Sequence, residues 1–252
     1  MADTVLQSFN AWVREQGLGY VQATLRLPAG ALPTAGDTTE KSDNLELRVL
    51  RPLPELWQLL AKKTRYTVRR AVKDRVKLHW VSTAKFLTAQ SKLLYDTYSR
   101  QGIKSNYPIN FYQALLEKQR DLHLRVLYAS VEGRIIAAAW LFTDKWRCYY
   151  WDAVTGTEGR ELNASQVLVW CLIRWAHRRG FETLDFVGTS IGGRGGSRPG
   201  IGHFKRSMGA QPVEYQIIYW YSPIYRFALG SYRRLERIKT YLRNFVRGKL
   251  ND

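Results

Sequence analysis

Three consecutive strands joined by very short turns constrain the fold more than any other stretch of this chain. The runs LRVLYASV, RIIAAAWLFT and RCYYWDAVT lie between residues 124 and 155 and are rich in β-branched and aromatic residues. Glu132-Gly133 and Asp144-Lys145 mark the turns between them. Turns this short can join only antiparallel neighbours, so the stretch predicts a three-stranded antiparallel meander.

The elements around the meander predict an α+β domain with a mixed, mostly antiparallel sheet flanked by helices. In chain order we expect a strand at 77–81, helices at 83–102 and 109–120, then the meander, a polar loop at 156–164, a helix at 165–179 ended by Gly180, a strand at 183–187, a short helix at 204–208 and a strand at 213–221. The helix at 165–179 is apolar on nearly all sides, so we expect it to be buried against the sheet.

The first 76 residues carry fewer elements. An amphipathic helix around residues 5–13 and a strand at 20–28 precede a Gly/Pro/Thr/Asp-rich linker at 29–44, which we expect to be exposed or disordered. A second strand follows at 45–50. Residues 52–76 then predict one basic helix, whose apolar face is Leu56, Leu59, Leu60, Thr64, Val68, Ala71 and Val72.

The net charge points to an anionic partner. There are 39 Lys plus Arg against 21 Asp plus Glu, a formal charge of +18, which favours nucleic acid, an anionic membrane or a phosphorylated substrate. Cys148 and Cys171 lie inside apolar runs without neighbours at metal spacing, so we expect buried free thiols and no metal site. The opening residues lack the pattern of a signal peptide, which predicts a cytoplasmic location.

Several ordered motifs across residues 45–215 resemble the Fem family, whose members transfer amino acids from aminoacyl-tRNA to peptidoglycan precursors on paired GNAT-like domains. These motifs are LWQLLAKKTRYTVRRAVKDRVKLHWV, ASVEGRIIAAAWLF, NASQVLVWCLIRWAHRRGFETLDFVG and GIGHFKRSMGAQP. The resemblance implies a GNAT-type transferase domain at 51–222, preceded at 1–50 by a remnant of a first GNAT-like domain and followed at 223–252 by a basic amphipathic helix. The shortened front implies either that the first domain is reduced to this remnant or that a partner supplies it, in a homo- or hetero-oligomer.

The resemblance also implies site residues. Lys205, after Phe204, matches the lysine that stabilises the oxyanion of acyl transfer, and Asp185 matches the acid at a strand end. Asp185 could orient or deprotonate the acceptor amine, or pair with an arginine of the following loop. His203 is a further candidate base. The alternative for Lys205 is a solvated lysine on a short helix.

Phosphate sites are predicted at three places. Lys62, Arg65, Arg69 and Arg70 lie on the basic helix, where the resemblance implies binding of the acceptor diphosphate, although basic helix faces are often only solvated. The glycine-rich loop from Ile191 to Gly202 carries Arg194 and Arg198, which we expect to bind a phosphate or a tRNA end. Arg160, after Gly159, is a partial match to the cradle that holds the CoA pyrophosphate at a helix N-terminus in GNAT enzymes.

Three functions remain open at this stage. The first is transfer of an aminoacyl group from aminoacyl-tRNA, or of an acyl group, to an amine of a phosphate-bearing cell-wall or lipid-linked precursor, without a cofactor. The second is acyl-CoA-dependent N-acyl transfer in polysaccharide or glycolipid synthesis. The third is a degenerate GNAT domain that binds RNA or a partner subunit.

The C-terminal tail has two interpretations. Apolar residues at helical spacing between 223 and 247 predict one or two amphipathic helices that dock on the core. Alternatively, the tyrosines and the many arginines of this segment meet the headgroups of an anionic membrane, which would hold the protein on the inner face of the plasma membrane.

Overall fold

The computed structural model describes residues 2–25, 38–81, 86–102, 107–187, 199–228 and 230–231. Its elements in chain order are α1 (Ala2–Glu15), β1 (Tyr20–Leu25), β2 (Thr38–Arg48), α2 (Leu53–Leu59), α3 (Lys62–Lys73), β3 (Lys77–Trp80), α4 (Phe86–Gln101), α5 (Ile109–Glu117), β4 (Leu124–Val131), β5 (Arg134–Thr143), β6 (Arg147–Thr155), α6 (Thr157–Glu161), α7 (Ala164–Arg178), β7 (Thr183–Asp185), α8 (Pro199–Ser207) and β8 (Gln211–Tyr221). Residues 223–228 are also helical. The chain divides into two compact units: unit 1 is Met1–Ser42 with Glu214–Asp252, and unit 2 is Asp43–Val213.

Unit 2 contains a mixed sheet with the strand order β2-β7-β6-β5-β4-β3. β6 and β7 are parallel, while β2 with β7 and each neighbouring pair from β6 to β3 are antiparallel. The predicted meander is confirmed as β4, β5 and β6, and Glu132 and Gly133 both have positive φ, as a two-residue hairpin turn requires. The predicted α+β fold class, with helices flanking a mostly antiparallel sheet, is confirmed.

Helices cover both faces of the unit 2 sheet. Ala137 and Ala139 of β5 pack into one core with α3 and α7, while Ala138 and Trp140 pack into a second core with α4 and α5. This division follows from the alternation of side chains along a strand. The predicted buried helix is α7, and Gly180 ends it with a φ of 75°.

The structure corrects the single helix expected at 52–76. Leu60 and Ala61 have extended backbones and separate α2 from α3. The break is stabilised because the Ala61 N–H donates to the Ser207 carbonyl, and the Arg65 guanidinium donates to the carbonyl oxygens of Gln58 and Leu60 at 3.0 and 2.5 Å. Five members of the predicted apolar face are buried, but Leu59 and Val72 are exposed.

Two further boundaries were wrong. The expected linker at 29–44 overlaps β2, which begins at Thr38, because pairing partners stabilise a polar strand that its composition alone would not. Within unit 1, for example, Lys41 forms a 3.1 Å ion pair with Glu214. The expected loop at 156–164 contains the short helix α6. Gly159 of this helix packs so closely on the Ile136 carbonyl that a Cβ would lie 2.3 Å from its oxygen.

Unit 1 is built on the antiparallel pair β1 and β8, in which Tyr20 lies opposite Tyr221. α1 contributes Val13 to a small core with Ile218 and Trp220. A cluster of tyrosines, with neighbouring ring centroids 5.6–6.3 Å apart, consists of Tyr20, Tyr219, Tyr221 and Tyr225.

The compact units group the residues differently from the division predicted at residues 50 and 222, because β8 and the described part of the tail fall in the same unit as α1 and β1. The functional division stays a prediction. Residues 223–228 are helical, and the rest of the predicted tail helices, from residue 232 onward, lies outside the described residues. The two thiols are free, with Cys148 buried and Cys171 half-buried.

Candidate active site

The carboxyl end of β7 carries a buried acid that is held by hydrogen bonds. Asp185 is the last residue of the strand and is only 2% exposed. Its Oδ1 accepts hydrogen bonds from the side-chain amide of Asn44 at 2.7 Å and from the backbone N–H of Val187 at 2.8 Å. The carboxylate is therefore fixed in one orientation rather than solvated.

An ion pair lies beside this acid. Arg147, at the start of β6, donates to Glu46 Oε1 of β2 at 2.7 Å, and its guanidinium is 4.0 Å from Asp185 Oδ2. β7 lies between β2 and β6, so these strands bring residues that are far apart in sequence to one point. Buried charges are retained only when such partners compensate their loss of water.

Lys205 on α8 completes the group. Its side chain is buried, and the ammonium donates at 2.6 Å to the carbonyl oxygens of both Phe186 and Val187, the residues that follow Asp185. Burial lowers the pKa of Lys205 to about 8, and the negative charge of Asp185 opposes that shift. We call Asn44, Glu46, Arg147, Asp185 and Lys205 the β7-end cluster.

The backbone at the β7-end cluster is strained. Val187 has a φ of 41°, in the left-handed region that a β-branched residue rarely adopts. The bonds from Val187 N–H to Asp185 and from Lys205 to the Val187 carbonyl hold it there. The pairing of β6 with β7 ends at Tyr149 and Asp185, which is also the last residue of β7. Strained residues beside the carboxyl end of parallel strands are a frequent setting for ligand sites.

The structure brings together Lys205 and Asp185 but not His203. His203 is exposed, whereas Lys205, two residues later on the same helix, is buried. The reason is geometric, since residues two apart on an α-helix point about 200° apart. Phe204 is half-buried and packs against the core beneath α8. Arg194 and Arg198, with most of the glycine-rich loop, lie outside the described residues.

The basic residues of α3 have separate local partners. Arg65 binds the carbonyl oxygens at the end of α2, Arg69 lies 5.2 Å from the centre of the Trp57 ring, and Arg70 pairs with Asp74 at 3.6 Å. Lys62, Arg69 and Arg70 are exposed, and Arg65 is half-buried. Arg65 therefore contributes to the turn between α2 and α3, and a phosphate site on this helix stays a prediction.

The region that would cradle a pyrophosphate uses its glycine for packing. Gly159 lies against the β5 backbone, as described above, and Glu158 of the same short helix pairs with Arg134 at 2.8 Å. Arg160 is exposed at the end of α6. The glycine and the acid both make this segment a poor match to a cradle for anions.

The comparison with family models decides the superfamily. The model described as "Acetyltransferase (GNAT) domain" matches residues 61–206, more than half of the chain, from the start of α3 to the residue after Lys205. The chain belongs to the GNAT acetyltransferase family. Comparison with the curated proteins gives no match.

Solved structures support the GNAT fold. FemX is similar with a TM-score of 0.61 and 14% identity, over 86% of this chain and 70% of that chain. The C-terminal domain of a putative lysylphosphatidylglycerol synthetase from Agrobacterium fabrum gives 0.59 and 12%, over 90% and 76%. L-PGS from Bacillus licheniformis gives 0.51 and 12%, over 90% and 70%. At these identities the similarity establishes the fold alone.

A second polar pair in this GNAT domain was missed by sequence reasoning. β6 has a bulge at Trp151, because Trp140 lies opposite Asp152 while Leu141 lies opposite Tyr150. Asp152 consequently accepts a 2.7 Å hydrogen bond from the hydroxyl of the fully buried Tyr112, on the side of α4 and α5. Burial raises the pKa of Asp152, although this hydrogen bond acts in the opposite direction.

Asn44, Glu46 and Arg147 were missed for a different reason. Asn44 falls in a stretch that composition assigns to a linker, and Glu46 and Arg147 each occupy a polar position in a strand that could equally face water. The available signal was the alternation in residues 44–47, which puts Asn44 and Glu46 on the face opposite Leu45 and Leu47. In the structure Asn44 and Glu46 are buried and Arg147 is half-buried.

Proposed function

We propose that this GNAT protein transfers an aminoacyl group, or another acyl group, to an amine of a phosphate-bearing precursor, and that Lys205 stabilises the oxyanion formed during transfer. The observation that carries the proposal is the buried ammonium of Lys205 at the carboxyl end of β7, beside Asp185. A surface lysine would not need the paired acceptors that hold this one.

The chemistry requires little from the protein. The amine nitrogen of the acceptor attacks the carbonyl carbon of the donor and forms a C–N bond, and the carbonyl oxygen becomes an oxyanion. The intermediate collapses by breaking the C–O bond of an ester or the C–S bond of a thioester. The amine loses a proton, and the leaving oxygen or sulfur gains one. A fixed positive charge in a water-poor site lowers the energy of the oxyanion most effectively.

The lowered pKa of Lys205 is compatible with this role. At a pKa of about 8 the side chain is still mainly protonated at neutral pH. Turnover should therefore fall as the pH rises above about 8, because the ammonium loses its charge. A lysine that acted as the base would give the opposite profile, in which turnover rises through the same pH range.

Charge and similarity support a phosphate-bearing acceptor. The net charge of +18 favours an anionic substrate, and the exposed Lys62, Arg69 and Arg70 offer cations on α3. Two of the similar structures are named for lysylphosphatidylglycerol, a lipid that carries an amino acid and a phosphate, and the third is FemX. The acceptor is accordingly proposed to be a cell-wall or lipid-linked precursor.

Between the two donors, aminoacyl-tRNA is favoured over acyl-CoA. Gly159 is packed against Ile136 and Glu158 adds negative charge, so α6 does not resemble a pyrophosphate cradle. The alternative, an N-acyltransferase that uses acyl-CoA, keeps the same role for Lys205. A partner subunit, in a homo- or hetero-oligomer, belongs to the same proposal.

Separate titrations of the purified protein with aminoacyl-tRNA and with acetyl-CoA test the donor. We expect salt-dependent binding of the tRNA in a filter-binding assay and no heat of binding with acetyl-CoA in calorimetry. The protein is then incubated with tRNA carrying a radiolabelled amino acid and with extracted precursors, and label should appear in the precursor fraction. Tight acetyl-CoA binding with acetyl transfer would select the acyl-CoA alternative. Binding of RNA without any transfer to a precursor would support a degenerate GNAT domain.

A further inference from the structure

Unit 1 exposes large apolar side chains on a short helical segment. Ile224 is 84% exposed and Phe227 is 79% exposed, and the two are three positions apart on the helix at 223–228, so they share one face. Removing such side chains from water is favourable, and exposed apolar residues that are grouped beside polar ones mark sites of contact with a protein or a membrane. We therefore expect this helix face to contact a binding partner.

Other exposed apolar residues lie close to this helix. The Ser222 N–H donates to the Gly19 carbonyl at 2.9 Å, and a Cβ on Gly19 would lie 3.5 Å from the Tyr225 ring. These contacts bring the helical segment next to Leu18, which is 45% exposed. The apolar surface thus includes residues from both the N-terminal and the C-terminal parts of unit 1.

A hollow of about 380 Å³ lies beside this surface, between the end of α1 and the helix at 223–228. Arg14 contributes to its wall from α1, and Arg226 contributes from the helix, while Val13, Leu18 and Trp220 supply apolar walls. Two arginines that line a partly apolar hollow match the charge of a phosphate group that is attached to an apolar molecule. A phospholipid headgroup has this combination.

The C-terminal segment adds further positive charge. Between Ser222 and Leu250 there are eight Lys and Arg residues against Glu236 alone. Basic residues beside aromatic and aliphatic ones are the composition of segments that lie in the interface of an anionic bilayer. The helices in the described part of the chain include no candidate membrane span. RNA is a weaker match, because aliphatic side chains such as Ile224 and Leu18 offer bases no ring for stacking.

We propose that unit 1 binds the surface of an anionic phospholipid bilayer, with a lipid phosphate between Arg14 and Arg226 and with Ile224 and Phe227 inserted among the headgroups. The inference does not depend on the proposed transfer reaction, since it concerns binding without substrates. It would place a phosphate-bearing lipid acceptor near the protein.

Co-sedimentation of the full-length protein with vesicles tests the proposal. Vesicles of phosphatidylcholine alone are compared with vesicles that also contain phosphatidylglycerol, at low and at high salt. We expect binding only to the anionic vesicles, and binding that salt weakens. The double variant Arg14→Glu/Arg226→Glu and the double variant Ile224→Ser/Phe227→Ser should each reduce the partition coefficient by about tenfold or more. The serine variant removes exposed side chains only, so its folding should be unaffected.

The matched control is Arg178→Glu/Arg179→Glu, which makes the same charge change at two exposed positions of unit 2. This control should keep at least half of the vesicle binding. If it loses as much as the Arg14/Arg226 variant, binding reflects net charge alone and the site is refuted. If the Ile224/Phe227 variant binds vesicles normally but loses affinity for tRNA, the surface is an RNA site and the membrane proposal is refuted. Equal binding to vesicles with and without phosphatidylglycerol would also refute it.

Discussion

The β7-end cluster and the basic surface of α3 are two charged regions of unit 2 that differ in how far their charges are exposed to water. α3 and its flanks carry the densest run of cations in the sequence, yet Arg69 and Arg70 are exposed and have only local partners. The β7-end cluster is inconspicuous in sequence, yet Glu46, Asp185 and Lys205 are nearly inaccessible to water.

The difference shows that charge density is a poor guide to where charges interact strongly. An exposed ion pair is weakened by solvent and salt, whereas a buried one interacts strongly and depends on every partner. We therefore expect the two regions to respond very differently to equivalent substitutions. The four predictions below test that difference, from the largest expected effect to the smallest.

Removing an arginine from each region compares a buried ion pair with an exposed one. Arg147→Ala leaves Glu46 buried without its 2.7 Å partner, so we expect the free energy of unfolding to fall by about 3 kcal/mol or more. Arg70→Ala removes a surface pair at 3.6 Å and should cost less than about 1 kcal/mol. Urea denaturation followed by circular dichroism measures both. Similar losses for the two variants would remove the distinction between the regions.

Within α8, Lys205 and His203 provide a second comparison. If Lys205 stabilises the oxyanion, Lys205→Ala should lower turnover by about a hundredfold, which corresponds to about 2.7 kcal/mol. His203→Ala, at an exposed position on the same helix, should leave turnover within about twofold of the parent. Lys205→Arg keeps the charge and serves as the conservative variant. Full activity of Lys205→Ala in protein that folds normally would end the catalytic assignment.

The pKa of Lys205 makes the stability of the protein depend on pH. Because burial lowers its folded-state pKa to about 8, below the ordinary value of 10.5, the unfolded chain binds more protons between these values. Its contribution to the free energy of unfolding should therefore rise with pH by up to about 1.4 kcal/mol per unit from about pH 8 to about 10.5. Below pH 8 this contribution is constant.

The measurement is the difference in unfolding free energy between the parent and Lys205→Met across pH 7 to 10 (roughly the range in which the lysine titrates). Burial also raises the pKa of Cys148 and of several tyrosines, which makes the stability of both proteins fall at alkaline pH. Taking the difference between the two proteins cancels this effect and leaves the contribution of Lys205. A difference that does not change with pH would mean that Lys205 titrates in the folded protein as it does in water.

The smallest effect is expected inside α3 itself. Arg65→Ala should lower the unfolding free energy by about 1–2 kcal/mol, because it removes hydrogen bonds to the Gln58 and Leu60 carbonyl oxygens at the break between α2 and α3. Arg69→Ala, which loses only the contact with Trp57, should cost about 0.5 kcal/mol. Thermal denaturation resolves the two. If both variants have equal, negligible effects on unfolding, Arg65 does not stabilise the break between α2 and α3.

The sequence predicted the meander well because its information is local. Short runs rich in β-branched and aromatic residues, joined by short turns, specify β4, β5 and β6 without reference to the rest of the chain. The β7-end cluster could be predicted only in part. Lys205 and Asp185 were found through a family resemblance, but Asn44 is 141 residues from Asp185, and Glu46 is 101 residues from Arg147. No local pattern reports contacts over such separations.

The errors at α2, α3 and β2 have the same origin. Residues 52–76 have a continuous helical pattern, and the break at Leu60 and Ala61 comes from bonds to Ser207 and Arg65 that the pattern does not contain. The first residues of β2 were predicted to be a linker because their polar composition does not indicate that neighbouring strands pair with them. Tertiary pairing overrode local preference in each case.

The bulge at Trp151 accommodates one extra residue in β6 without changing the face of the sheet on which the neighbouring carboxylate lies. Before the bulge, Cys148 and Tyr150 point into the core that contains α7, and after it Asp152 points towards Tyr112 on the other side of the sheet. Deletion of Trp151 would therefore give a regular alternation in which Tyr150 still faces the α7 side and Asp152 still faces Tyr112. In the descent of such a domain, this strand can therefore gain or lose one residue at the bulge while the ionisable group stays on the same face of the sheet.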